Sequence, residues 1–84
     1  MKNASLEFIE GSSSKEYHIQ LKESNGLYVV NFQYGRIGNA LQHGTKTPNP
    51  VSLEEAEKIY NKLYKEKTGK GYLDTDKKKM TTQS

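Results

Sequence analysis

Tyr34-Gly35-Arg36-Ile37-Gly38 brings an aromatic ring, two glycines and the only arginine of the chain together where an apolar strand pattern ends. An aromatic face beside a guanidinium fork suits a sugar or base on one side and a phosphate or carboxylate on the other. Glycine tolerates positive φ and close backbone approach, so Gly35 and Gly38 let the chain turn while Tyr34 and Arg36 still project. Lys15 and Lys46 are further cations that a phosphate chain would use, with the C-terminal lysines behind them. The same residues also have a plain structural use. Tyr34 shares strand parity with Val30 and Phe32 and can close a core, and Arg36 can pair with a carboxylate of its own domain.

The charge distribution bears on that choice more than its total does. The 84 residues carry a formal charge of +3, but from Lys58 onward eight lysines face three carboxylates, while everything before Lys58 nets −2. Such asymmetry fits an anionic partner, nucleic acid first, and equally fits a solvated lysine-rich helix face and tail. Cysteine is absent, so disulfides and thiolate metal sites are excluded and the fold rests on packing. No apolar run approaches the roughly 20 residues of a membrane span, and the first ten residues lack a signal-peptide layout, so a cytoplasmic protein is expected.

The elements that must position these residues read as one small domain over 1–73, followed by a polar, lysine-rich tail or linker start over 74–84. Leu6 and Phe8 alternate with polar neighbours in a first strand, about Ser5 to Glu10. Tyr17, Ile19 and Leu21 alternate with His18, Gln20 and Lys22 in a second. Asn25-Gly26 then predicts a tight antiparallel hairpin, since both residues tolerate the positive φ of a type I′ turn. The third strand runs from Leu27 to Tyr34 with Tyr28, Val30, Phe32 and Tyr34 on its core face. Ala40 to about Lys46 reads as a weak edge strand interrupted by Gly44.

Pro48 and Pro50 end that strand in a loop, and a helix follows. Ser52 with Glu55 three residues on forms a capping box, Glu54 and Glu57 suit the helix start, and Lys65 and Lys67 suit its end. Leu53, Ala56, Ile59, Tyr60, Leu63 and Tyr64 make one apolar stripe, and Gly69 is the expected C-terminal cap, giving about 16 residues and roughly 24 Å. The stripe is expected to lie on Phe8, Tyr17, Ile19, Val30 and Phe32. The fold class is therefore α+β, a small antiparallel sheet of about four strands with one helix packed on one face.

Enzyme motifs are missing. The chain has no phosphate-binding loop, no dinucleotide fingerprint and no nucleophile elbow, and His18 and His43 have no partners at metal-ligand spacing. No catalytic residue, cofactor or metal is expected.

Taken together, these pieces resemble the WGR domain family, whose Trp-Gly-Arg signature this chain carries as Tyr34-Gly35-Arg36 followed by Ile37-Gly38. Leu6 to Tyr17 looks like the family's opening strands, Ser52-Leu53-Glu54-Glu55-Ala56 like its helix start, and Glu66 to Tyr72 like its Lys-x-x-Gly-Tyr ending. The resemblance implies a compact, non-catalytic sheet-plus-helix module, found in poly(ADP-ribose) polymerases and in many bacterial proteins. In the polymerases the family's Trp packs on the sugar of a DNA break end, basic and polar groups hold the terminal phosphate, and the Arg contacts DNA or neighbouring domains. Carried over, this marks Tyr34, Gly35 and Arg36, with Tyr34 offering a smaller face than Trp, Ser14 and Glu16 in place of the usual Asn and Phe, and Leu41 where a glycine often precedes Gln42. The expected partner is DNA, at ends or nicks, or alternatively a protein or neighbouring domain whose carboxylate pairs with Arg36.

Overall fold

In a computed structural model, which describes residues 2–75, the chain runs β1 (Lys2–Glu10), β2 (Ser13–Ser24), β3 (Leu27–Arg36), β4 (Gln42–Thr45), α1 (Leu53–Gly69) and β5 (Leu73–Asp74). The strands form one antiparallel sheet in the order β4-β3-β2-β1-β5, with α1 on one face. This is the expected α+β architecture with one strand more. Asp74, expected at the start of the tail, pairs with Leu6 of β1 and accepts a 2.6 Å hydrogen bond from the Tyr64 hydroxyl, while the Thr75 hydroxyl donates to the Ser5 carbonyl. The rest of the expected tail, 76–84, lies outside the described residues.

Two hairpins build the centre of the sheet. Asn25 and Gly26 take φ of 53° and 83°, the turn that their identities predict, and this fixes the β2–β3 register as Ile19↔Phe32, Tyr17↔Tyr34 and Lys15↔Arg36. Residues directly opposite in an antiparallel pair share a face, so each row of partners extends across the sheet. Ala4, Ile19, Phe32 and Gly44 form one row, Leu6, Tyr17, Tyr34 and Gln42 the next, and Phe8, Lys15 and Arg36 the last.

Helix α1 covers the first of these rows and reaches only to the second. Its Ala56, Tyr60 and Leu63 are buried against Ala4, Leu6, Tyr17, Ile19, Leu21 and Val30, and Ile59 and Tyr64 flank them half-buried. Leu6, Ile19 and Val30 are the largest fully buried side chains, so the core centres one row nearer the start of β1 than Phe8, which is only half-buried. Leu53, expected in the apolar stripe, is instead 43% exposed.

The caps hold the helix in this register. The Ser52 Oγ accepts from the Glu55 backbone N–H at 3.2 Å, as the capping pattern predicts. At the other end the reversal falls later than the expected Gly69. Lys70 N–H bonds the Lys67 carbonyl, Gly71 N–H that of Thr68 and Tyr72 N–H that of Lys67, and Gly71 takes the positive φ of 109°. A side chain at Gly71 would be strained by that φ and would also sit 2.9 Å from the Phe8 ring, so glycine is required on both counts. The reversal folds Tyr72 back under the helix end.

Candidate nucleic-acid interface

The end of the sheet that α1 leaves uncovered carries the signature residues. Tyr34-Gly35-Arg36 was expected at a turn, but all three residues belong to β3, and the chain turns only after them, at Ile37-Gly38-Asn39. Strand period, rather than the glycines, therefore brings Tyr34 and Arg36 onto one face, with Gly35 between them on the other. Gly35 serves packing, since a Cβ there would lie 3.3 Å from the Leu41 side chain and 3.4 Å from the Ala40 carbonyl.

Tyr34 is both packed and open. Its ring stacks on buried Tyr17 at 5.9 Å and lies 6.0 Å from Phe32, yet 42% of the residue remains exposed. Arg36 is exposed and makes no ion pair among the described residues, so its fork is free of the intramolecular carboxylate that the plainer reading supplied. Lys15 stands directly opposite Arg36 across the ladder and opposite Phe8 on its other side, with its Nζ 6.0 Å from the Phe8 ring. Lys15, Tyr34, Gly35 and Arg36 line one hollow of about 310 Å³, and Tyr72 forms its remaining wall. Tyr72 packs edge-on against Tyr17, 6.1 Å between centroids, and at 5.5 Å from Phe8.

Lys46 is not brought to this hollow. Its Nζ lies 5.4 Å over the Phe32 ring, and it lines a separate cavity of about 280 Å³ with Ile59, Lys62, Leu63 and Glu66. The cause is a clasp of threonines. Thr47 is buried, its Oγ1 accepts from Val30 N–H at 2.9 Å, Lys46 N–H bonds the Val30 carbonyl at 2.9 Å, and the Thr45 hydroxyl donates to that same carbonyl at 3.2 Å. Gly44 belongs to the same arrangement, because a Cβ there would fall 2.3 Å from the Phe32 ring. The glycine that reads as an interruption of the strand makes room for the ring that Lys46 covers.

Sequence reasoning did not group Tyr72 and Phe8 with this cluster, having assigned Phe8 to the core, and it reached Lys67 and Lys70 only among the C-terminal lysines. The signal for Phe8 was its pairing with Lys15, which only the register reveals. Lys67 sits with its Nζ 4.7 Å over the Tyr17 ring. Burial, reinforced by the nearby Glu66 carboxylate, pushes the Tyr17 hydroxyl up to about 12, so Tyr17 stays a neutral phenol and its ring can hold a cation.

The chain is thus a small α+β domain, an antiparallel sheet covered by one helix with an aromatic-and-cation cluster at the uncovered end, and no group of metal-ligating side chains occurs among the described residues. The model of the WGR domain matches residues 2–79, and the chain belongs to the WGR domain family, a non-catalytic class of nucleic-acid-binding modules. Comparison with curated proteins and with solved structures gave no match. Among the described residues no helix is long and apolar enough to cross a membrane.

Proposed function

We propose that this chain is a non-catalytic module that holds a nucleic-acid backbone or end at the Tyr34-Gly35-Arg36 edge, with Tyr34 against a sugar or base and Arg36 and Lys15 on phosphate. The observation that carries the reading is the composition of one hollow, in which two exposed cations face two tyrosine rings and no carboxylate among the described residues lines the wall. Guanidinium and ammonium groups without ion-pair partners among the described residues suit phosphate oxygens, and the open part of Tyr34 suits a flat or sugar face. Lys46 contributes from its own cavity as a more distant phosphate contact. The alternative partner, a protein carboxylate on Arg36, would use one group of this cluster and leave the rings unexplained.

A salt titration with a duplex carrying a recessed 5′ end tests the reading. Arg36→Ala is expected to weaken binding and to lower the slope of log affinity against log salt by about 0.9, the value for one duplex phosphate. Tyr34→Ala is expected to cost about 1 to 3 kcal/mol of binding. Salt-independent affinity, or no affinity for any nucleic acid by the folded chain, would leave the docking alternative in its place.

A further inference from the structure

Beside the signature hollow lies a second one, of about 290 Å³, lined by Phe8, Lys15, Lys67, Lys70 and Tyr72. Lys15 and Tyr72 belong to both, so the two form one continuous surface around the uncovered end of the sheet. Among the described residues, the second hollow also lacks a lining carboxylate. Its cations come from a different element, the last turn and cap of α1, and its rings are Phe8 of β1 and Tyr72 of the returning chain. From Arg36 on β3 to Phe8 on β1 the row crosses two strand spacings, roughly 10 Å.

We infer that this second hollow takes unpaired nucleotides, so that the preferred ligand is a single strand running off a duplex end, with bases against Tyr72 and Phe8 and phosphates on Lys67 and Lys70. This rests on the nucleic-acid reading of the first hollow. A blunt duplex end offers one outer base-pair face, and every base behind it is already stacked on its neighbours, so rings beyond Tyr34 find nothing to stack on. An unpaired strand presents a face at each base, and alternation of rings with ammonium groups is how such strands are gripped without reading sequence. Lys67 over Tyr17 and Lys15 over Phe8 are held at ring surfaces, which keeps both ammonium groups within the ring cluster, in reach of the phosphates of a strand that lies on it.

The test uses the whole 84-residue chain and three fluorescein-labelled probes: an oligothymidylate, a blunt hairpin duplex, and the same hairpin with an unpaired oligothymidylate extension. Anisotropy titration is expected to show the extended hairpin bound about tenfold or more tighter than the blunt one. Phe8→Leu, which keeps apolar packing but removes a ring that lines the second hollow and not the first, and Lys70→Glu, at an exposed position, should each remove at least about fivefold of that gain and leave blunt-hairpin affinity unchanged. Circular dichroism of each variant checks the fold. Equal affinity for blunt and extended hairpins, or equal loss on both in the two variants, overturns the inference. So does competition by an oligoglutamate of matching charge as effective as that of the oligothymidylate, because the surface would then be a charge patch. If Arg36→Ala alone abolishes binding while Phe8→Leu and Lys70→Glu change nothing, the first hollow stands without the second. If no probe binds, both readings fall.

Discussion

The two faces of one sheet have opposite chemistry, although they are built from alternate residues of the same strands. On the helix side, Phe8, Lys15, Tyr34 and Arg36 surround Tyr17 and Tyr72, and the groups available to a ligand are rings and cations. On the open side the corresponding positions are Ser5, Glu7, Glu16, His18, Gln33 and His43, and these largely satisfy one another. In its neutral form His18 donates from Nε2 to the Glu16 carboxylate at 2.7 Å and accepts at Nδ1 from the Ser5 hydroxyl at 3.1 Å, while the Gln33 amide donates to His43 Nδ1 at 3.0 Å. The open face is not uniformly polar, since Ile9 and Leu73 stand exposed at its β1 edge. A net charge of +3 says nothing of this separation. What sets one end of one face apart is that its charged groups lack ion-pair partners among the described residues, whereas Ser5, Glu16, His18, Gln33 and His43 on the other face have hydrogen-bond partners.

Adjacent residues of β1 give the sharpest contrast between the faces. Leu6→Ala opens a cavity in the core and should cost about 2 to 5 kcal/mol in chemical denaturation. Ser5→Ala, one residue away on the wet face, should stay within about 1 kcal/mol. Comparable losses from the two would mean that the open face is not open. Thr47→Val comes next, because it removes the acceptor of the buried Val30 N–H while keeping the shape, for an expected loss of about 1 to 3 kcal/mol. The same variant loosens the clasp beside Lys46, leaving the bonds to the Val30 carbonyl, so it should also broaden the amide resonance of Lys46 relative to those of β2.

Much of the fold was legible because its signals are local. The Asn25-Gly26 pair, the alternation from Tyr17 to Lys22 and the Ser52 cap each act within a few residues, and each appears where it was expected. Tyr34 and Arg36 do share one exposed face, as expected, although for a different reason. A glycine turn was credited with presenting them, whereas strand period does so. What was not legible depends on contacts between residues far apart in sequence. The alignment of Phe8, Lys15 and Arg36 in one row needs the register of three strands, and the approach of Tyr72 to Phe8 needs a reversal at Gly71 rather than Gly69. Lys46 was grouped with the signature by charge alone, and a buried threonine, unremarkable in a proline-rich loop, sends it elsewhere. β5 has only two residues, Leu73 and Asp74, too few for any periodic signal.

The last expected effect concerns the latch that holds β5 against β1 and the helix. The Tyr64 hydroxyl donates to Asp74 at 2.6 Å, and this bond, with partial burial, pushes its titration up to about 12 from an ordinary 10.0. Tyr17 is raised similarly, mainly by burial. The folded chain therefore holds both protons more tightly than the unfolded chain does. The associated stability is complete below pH 10.0 and is lost as pH rises from there toward about 12. Denaturant midpoints should fall across that window, and Tyr64→Phe should flatten the fall by removing one of the two raised groups, at the cost of the latch itself. Because the latch joins α1 to β5 on the helix side, the open-face resonances of Gln33 and His43 should not follow the same titration. If they do, the two faces are coupled through the sheet, and the separation between a partnered face and an unpartnered end is not independent of how that end is closed.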